Sequence, residues 1–323
     1  MKRIAVLTSG GDSPGMNACI RAVVRQALAM GIDPYGVRRG FEGLIDQEIV
    51  PMTSRSVGSI MRHGGTALLT ARSQRFRMPA VRTEAVQGLR DHGIEGLIVI
   101  GGNGSFQGAL KVAELGIPTI GVPASIDNDI GGTDMAIGVD TCLNTILDSV
   151  DKIKDTAGSS PRPFLIEVMG RHSGYLALLA GIAGGAELVV TPEQKMTLEE
   201  VASEVESAYH RGKPLFIALI AEGAAVRAAD VCEYLKTRYP VEGAGPRLTI
   251  LGHVQRGGSP SAFDRILATR LGVAAVKALA AGESSVMVGI RSGVVGTTPL
   301  VESLATCPTL DPDLFEMSRA LAA

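Results

Sequence analysis

Five times along this chain a short apolar run ends in a glycine-rich or polar loop, and a helical pattern follows. The loops are residues 8–17 (Thr-Ser-Gly-Gly-Asp-Ser-Pro-Gly-Met-Asn), 101–105 (Gly-Gly-Asn-Gly-Ser), 123–134, 167–174 and 251–260. Runs that are apolar throughout, rather than alternating, suit parallel strands buried on both faces. Strand–helix alternation then implies an α/β protein with mainly parallel sheets flanked by helices. Expected strands are residues 4–8, 96–100, 119–122, 164–168, 188–191, 215–221, 248–251 and 286–290. Expected helices are residues 15–30, 56–62, 82–92, 105–115, 140–156, 174–181, 198–210 and 262–281. Leu143, Ile146, Val150 and Ile153 have helical spacing and read as core. The 323 residues suit two domains. A division near residue 138 is expected, where Gly131, Gly132 and Gly138 punctuate the chain before a long helix.

Composition excludes several classes. The 40 glycines follow no three-residue period, so a collagen-like chain is out. Hydrophobic residues at 46% and charged residues at 20% exclude disorder. Aromatics are 4% and tryptophan is absent, so the core must be aliphatic. The net charge of -2 argues against nucleic acid or an anionic membrane as partner. Cys19, Cys142, Cys232 and Cys307 are widely spaced and read as free thiols in a reducing compartment. No apolar run approaches the ~18 residues of a membrane span. Residues 4–7 are too short an apolar stretch for a signal peptide. A cytoplasmic protein is expected.

The loops carry the chemistry. Residues 10–15 free backbone N–H groups to face an anion, and the helix behind them adds a favourable dipole. Met16 stands where a P-loop needs lysine, so this is no Walker A loop. Gly102 and Gly104 open another helix, but Gln107 replaces the third glycine of a dinucleotide fingerprint and disfavours a dehydrogenase. Either loop alone reads equally as an ordinary glycine turn; two of them at the carboxyl ends of parallel strands point to a ligand crevice. Asp127 and Asp129 could act as a general base and as a metal or hydroxyl orienter, or simply as Asx-turn caps. Arg171 could grip a phosphate, and His253 and Arg256 would suit a sugar phosphate, although a lone His or Arg is more often a structural or surface residue. Together these residues read as phosphoryl transfer from a nucleotide to a phosphorylated acceptor.

Residues 10–17, 101–105, 125–129, 169–171 and 252–260 resemble the signature loops of 6-phosphofructokinases of the bacterial type, in order and along essentially the whole chain. The stretches Ile-Asp-Asn-Asp, Met-Gly-Arg and Gly-His-Val-Gln-Arg-Gly-Gly-Ser-Pro are specific in combination. The resemblance implies ATP and fructose 6-phosphate as substrates, Mg²⁺ as cofactor and an allosteric homotetramer. It implies a nucleotide-binding domain of residues 1–138 plus about 253–303. Residues 139–252 plus about 304–323 would form a sugar-phosphate domain, with the active site in the cleft between the two. By that resemblance Asp127 is the base for the sugar 1-hydroxyl, and Asp129 its metal-side neighbour. Ser125 stands where threonine is usual, Gly11 offers its N–H to phosphate, and Arg171 stabilises the transferring group. Arg72 bridges the substrates, Ser73, Gly102, Asn103, Gly104 and Ser105 line the nucleotide site, and Phe41 replaces a tyrosine beside adenine. Arg162, Met169, Gly170, Glu222, Arg247, His253 and Arg256 match the fructose 6-phosphate pocket, with Arg162 and Arg247 serving a neighbouring subunit. Arg21, Arg25, Lys154, Glu187, Arg211 and Lys213 match an effector site for ADP and phosphoenolpyruvate; near residue 54 the expected arginine is displaced to Arg55.

Two positions speak to the phosphoryl donor, and a third departs from the family pattern. Pyrophosphate-dependent relatives usually carry aspartate at the place of Gly104 and lysine at that of Ala124, so both positions favour ATP as donor. Asn103 stands where an aspartate near Mg²⁺ is usual, which implies a raised Mg²⁺ requirement and is the one feature that suits a non-catalytic regulatory homologue.

Overall fold

In the computed structural model, residues 1–159, 162–213, 215–239 and 245–322 are described. The strands are β1 (Arg3–Thr8), β2 (Asp33–Val37), β3 (Ile49–Pro51), β4 (Gly96–Gly101), β5 (Thr119–Pro123), β6 (Pro163–Val168), β7 (Leu188–Val190), β8 (Phe216–Ala221), β9 (Arg247–Ile250), β10 (Val286–Arg291) and β11 (Val294–Pro299). The helices are α1 (Met16–Ala29), α2 (Gly40–Ile45), α3 (Pro79–Asp91), α4 (Asn103–Glu114), α5 (Val139–Ala157), α6 (Tyr175–Gly184), α7 (Leu198–His210), α8 (Ala228–Arg238), α9 (Ala262–Ala280), α10 (Leu300–Ala305) and α11 (Pro312–Leu321). Two compact units result: Met1–Thr141 with Arg256–Pro308, and Cys142–Gln255 with Thr309–Ala323.

The first unit holds a seven-stranded sheet in the order β11-β10-β5-β4-β1-β2-β3. Strands β2, β1, β4, β5 and β10 are mutually parallel, and β3 and β11 close the two edges in antiparallel fashion. Apolar side chains from β1, β4 and β5 (Ile4, Val6, Ile98, Ile100, Ile120, Val122) pack with α1 and α9 into one aliphatic core. The two helices approach closely because Gly272 of α9 faces Ala22 and Cys19 of α1; a Cβ there would lie 2.9 Å from that of Ala22. Each aliphatic side chain so buried contributes roughly 1.5–3 kcal/mol. The second unit holds a four-stranded, fully parallel sheet in the order β7-β8-β6-β9. Leu165, Phe216, Ala218 and Ile220 pack there against Val201 and Val205 of α7 and Val231 and Leu235 of α8. Of the helical stripe expected as core, Ile146 and Val150 are fully buried, while Leu143 and Ile153 are half-buried.

The expected strands all form. β2, β3 and β11 were not anticipated, because Asp-Pro-Tyr-Gly-Val, Ile-Val-Pro and Val-Val-Gly-Thr-Thr-Pro are short or broken by proline and glycine. The helix expected over 56–62 is only a 3₁₀ turn at Ile60–Arg62. Helix α3 starts earlier than expected, with Pro79 in its first turn, where the missing N–H costs nothing. Cys19, Cys142 and Cys232 are buried free thiols, and Cys307 is exposed. Among the described residues, no helix is long and apolar enough to cross a membrane.

One buried carboxylate ties α9 to the start of α5 within the first unit. Asp264 is fully buried and accepts the Gly138 and Thr141 N–H groups, each at 2.8 Å, and the Thr141 hydroxyl. Ser261 caps α9 by accepting the Asp264 N–H at 3.2 Å, and its own N–H donates to Thr141 Oγ1 at 2.9 Å. The charge thus sits where the α5 dipole is positive. Burial nonetheless pushes the Asp264 carboxyl above its ordinary value, with the Thr141 and Gly138 donors pulling the other way. The folded state therefore holds this proton more tightly than the unfolded chain, so the group makes stability fall as pH rises above the ordinary carboxylate range. Asp264→Ala strands three donors and should cost at least ~2 kcal/mol in urea unfolding at neutral pH, with Asp264→Asn milder; a loss below a few tenths would contradict this account.

Candidate active site

In the first sheet the chain steps from β1 to β2 and β3 on one side, then returns to β4 and β5 on the other. The carboxyl ends of β1 and β4 therefore flank a topological switch point, the place where open α/β sheets bind ligands. Three of the loops singled out in the sequence meet along this edge. Ser9 N–H donates to the Ile100 carbonyl at 3.0 Å, and Ala124 N–H to that of Gly101 at 3.0 Å. Gly101 is required: a Cβ would lie 2.5 Å from Ser105 Oγ and 2.6 Å from the Ser9 carbonyl.

In the first loop, Gly10 has φ 88° and its carbonyl accepts the Thr70 hydroxyl at 2.6 Å. That bond draws the segment bearing Arg72, which is exposed, towards the loop. The Ser73 hydroxyl is taken up by the Phe76 N–H at 3.0 Å. Arg256 donates to the Asp12 carbonyl at 3.0 Å and lies over Gly11, where a Cβ would be 2.2 Å from its guanidinium. Arg256, grouped by sequence with the sugar-phosphate residues, thus belongs to the first unit and brings a positive charge to the first glycine loop. In the second loop Gly102 precedes α4, whose opening residues are Asn103, Gly104 and Ser105. Nothing lies within 4 Å of where a Gly104 Cβ would point.

The third loop carries the acidic pair. Asp127 is 7% exposed and its N–H donates to Ser125 Oγ at 3.2 Å. Asn128 between the two aspartates adopts a left-handed φ of 48°. Its side chain bridges the loop, accepting from Ala136 N–H at 2.9 Å and donating to the Asp134 carbonyl at 3.1 Å. Asn103 Nδ2 donates to the Asp129 carbonyl at 3.0 Å and to its carboxylate at 3.3 Å. The residue that departs from the usual aspartate is therefore a donor to Asp129, a contact that a carboxylate there would replace with repulsion.

The second sheet repeats the logic. From β6 the chain goes to β7 and β8 on one side and β9 on the other. Past the carboxyl end of β6, Gly170 has φ 137° and Arg171 φ 55°, with the Arg171 side chain exposed. Arg171 N–H donates to Glu222 Oε1 at 2.9 Å, and Met169 N–H to the buried Gln255 Oε1 at 3.1 Å. Burial, and then the charge of Glu222, push the Glu167 carboxyl up. His253 follows β9 in a 3₁₀ turn and is exposed. Met169, Gly170, Arg171, Glu222 and His253 are thus brought to one edge. Arg162 and Arg247 are not: Arg162 precedes the six-residue β6 and Arg247 opens the four-residue β9, so they stand at the opposite, amino end of that sheet, ~20 Å and ~13 Å away along their strands.

Phe41 and four of the candidate effector-site residues are engaged by neighbours in their own units. Phe41 is 5% exposed and stacked on Phe76 with centroids 4.4 Å apart, and its ring edge fills the space beside Gly108. It is core rather than an open adenine platform, because phenylalanine lacks the hydroxyl that keeps a tyrosine edge in water. Four of the candidate effector-site residues, Lys154, Glu187, Arg211 and Lys213, make hydrogen bonds within their own unit. Lys154 Nζ donates to the Gly184 and Gly185 carbonyls, Lys213 Nζ to that of Ala322, and Arg211 to Ser207 Oγ. Glu187 Oε2 accepts the Ile217 N–H at 2.8 Å. Arg21 and Arg25 lie one turn apart on α1.

A family profile described as phosphofructokinase matches residues 3–279. The chain belongs to the phosphofructokinase family. It is 50% identical over 322 residues, covering both chains fully, to proteins named ATP-dependent 6-phosphofructokinase from Bacillus mycoides and Bacillus cereus. The phosphofructokinase of Saccharomyces cerevisiae superposes with a TM-score of 0.87 at 37% identity, over 100% of this chain and 48% of that one. A pyrophosphate-dependent phosphofructokinase from Marinobacter aquaeolei superposes with a TM-score of 0.86 at 24% identity over 100% of this chain and 92% of that one, which speaks to the fold alone.

Several further residues shape these loops. Thr70, Asn128, Glu193, Gly223 and Gln255 hold functional loops in shape, and only Asn128 and Gln255 lay inside motifs already singled out. For Asn128 the two roles separate by substitution. Asn128→Gly keeps the left-handed backbone without strain, whereas Asn128→Ala loses both the backbone preference and the side-chain bonds. Thermal unfolding should rank wild type above Gly above Ala, with Ala ~1–3 kcal/mol below wild type; equal stability of the three would refute the bridging role.

Proposed function

We propose that this chain transfers the γ-phosphoryl group of ATP to the 1-hydroxyl of fructose 6-phosphate, giving fructose 1,6-bisphosphate and ADP, a committed glycolytic step. The observation that carries the reading is the acidic loop of Asp127 and Asp129 lying beside two glycine loops at the β1–β4 switch point. The names borne by the 50% identical relatives support the same donor and acceptor.

In this reading Asp127 accepts the proton of the sugar 1-hydroxyl as its oxygen bonds to the γ-phosphorus. The bond from that phosphorus to the β–γ bridging oxygen breaks, and ADP leaves. Gly11 presents its N–H to the phosphates, and Arg256 over it adds positive charge. Gly102 and Gly104 offer backbone donors at the α4 N-terminus beside Ser105, and Ser125 holds the Asp127 turn. The open space at Gly104 leaves room for an α-phosphate, which an aspartate would crowd and repel. Arg171 stabilises charge on the group in flight, a role worth ~10³–10⁵ in rate for comparable arginines. Met169, Gly170, Glu222 and His253 would bind the sugar phosphate. Arg162 and Arg247, at the far end of the second sheet, would complete the site of a neighbouring copy in a homotetramer. Arg21, Arg25, Lys154, Glu187, Arg211 and Lys213 would form the site for ADP and phosphoenolpyruvate.

The donor set suits Mg²⁺. Among the described residues no cluster of three or more His, Cys, Asp or Glu side chains could hold a metal. Asp129 and the Asn103 amide oxygen instead offer hard oxygen donors to an ion otherwise held by water and substrate phosphates. A bound Mg²⁺ would neutralise charge on the β- and γ-phosphates.

A kinetic matrix of ATP and pyrophosphate against fructose 6-phosphate tests the reading; turnover with pyrophosphate alone would reject ATP as donor. Asn103→Asp places two carboxylates in contact at Asp129. It should lower the Mg²⁺ needed for half-maximal rate by ~10-fold, in the range of outer-sphere metal partners. It should also lower the melting temperature when Mg²⁺ is chelated. An unchanged Mg²⁺ dependence would refute this role for position 103.

A further inference from the structure

We propose that Glu222 and Gly223 are positioning residues for Arg171: they hold its backbone in the left-handed conformation and thereby aim its guanidinium. The inference rests on the phosphoryl-transfer reading of Arg171. A left-handed φ is uncommon outside glycine, and at Arg171 it follows a glycine already at φ 137°. Such a conformation persists only when its surroundings impose it.

The surroundings are specific. Glu222 follows β8 directly and is fixed there by its own N–H, which donates to the Val168 carbonyl at 2.8 Å. Its carboxylate reaches over to accept the Arg171 N–H at 2.9 Å. One carboxylate oxygen is thus committed to the Arg171 backbone, and the other remains to accept a sugar hydroxyl. Gly223 supplies the space on the other side of the same peptide. A Cβ at 223 would lie 1.9 Å from the Arg171 carbonyl oxygen and 3.4 Å from Pro192 Cγ. The obstacle is backbone, so it cannot swing aside as a side-chain tip would.

The loop is also pinned on both sides of Arg171. Ser173 N–H donates to the Gly170 carbonyl at 2.8 Å, closing a turn around Arg171. Gly170 cannot be replaced there, since its Cβ would lie 2.3 Å from the Ser173 carbonyl oxygen. Beyond the turn, Gly174 N–H donates to Glu193 Oε1 at 2.8 Å. Two carboxylates from loops after β8 and β7 therefore hold the backbone of the loop after β6. The carboxylate expected to bind the acceptor and the arginine expected to stabilise the transferring group share one hydrogen bond.

The consequence is a coupling that a merely structural glycine would not show. Gly223→Ala should lower kcat ~10–100-fold, as small misplacements of a catalytic group do, while leaving the ATP KM unchanged. In an Arg171→Ala background the same change should cost nothing further, because the residue it acts through is gone. Equal losses in the two backgrounds, or an unchanged kcat in Gly223→Ala alone, would overturn the proposal. A second measurement does not depend on activity. Hydrogen exchange of residues 168–174 should quicken in Glu222→Ala and stay slow in Glu222→Gln, whose amide oxygen still accepts the Arg171 N–H. No change in Glu222→Ala removes the clamp whatever the kinetics show. A wild-type chain inactive towards ATP and fructose 6-phosphate would defeat the catalytic reading separately.

Discussion

Everything at the candidate site depends on parallel strands that end level with one another. In a parallel sheet the carboxyl ends of neighbouring strands fall on one edge, so loops far apart in sequence become neighbours without further design. Thr8 pairs with Ile100, and Gly101 with Pro123, so β1, β4 and β5 deliver their loops within one or two residues of the same line. The second sheet does this for β6, β8 and β9, pairing Val168 with Ala221 and Glu167 with Ile250. Sheets flush at one edge bring the loops together, and glycine then lets the backbones approach. Gly101 beside Ser9, and Gly223 beside Arg171, are positions where the approach leaves no room for a side chain.

Level strand ends do not by themselves orient chemistry. In each unit a polar residue between or beside the chemically important groups takes a left-handed backbone: Asn128 between the two aspartates, and Arg171 after Gly170. The solutions differ. Asn128 is a residue type that tolerates this region, and it stabilises itself through its own amide. Arg171 has no such means, and its conformation is imposed by neighbours, a carboxylate on one side and a glycine on the other. The difference follows from what each side chain is for. Asparagine can spend its amide on the loop, whereas an arginine whose guanidinium, in the proposed function, is reserved for substrate cannot.

Much of this was legible in the sequence, because its signals were local. Apolar runs marked four adjoining strands of the first sheet's order, β10, β5, β4 and β1, and all four strands of the second, and the loops singled out lie at carboxyl ends of five of them. Strands at or near the edges of the first sheet were harder to see: Asp33–Val37 carries proline and glycine, and Ile49–Pro51 is three residues long. Roles set by distant partners were harder still. No local pattern says that Asn103 donates to Asp129, that Arg256 lies over Gly11, or that Glu222 holds the Arg171 peptide. Phe41 misled for the same reason. The resemblance set it beside adenine in place of a tyrosine, but Phe76 and Gly108 enclose it.

The discontinuity of the two units has a consequence for how the chain is made. Synthesis proceeds from the N-terminus, and domains generally fold as units. The first five strands emerge early, but their core is covered by α9, whose residues follow the whole of Cys142–Gln255. The four strands of the second sheet are complete by Ile250, before α9 has begun. The later unit in sequence is therefore the earlier to finish its sheet, while the apolar face of β1, β4 and β5 waits on the ribosome for its helix. During that interval the aliphatic residues that later stabilise the first unit are its exposure to aggregation.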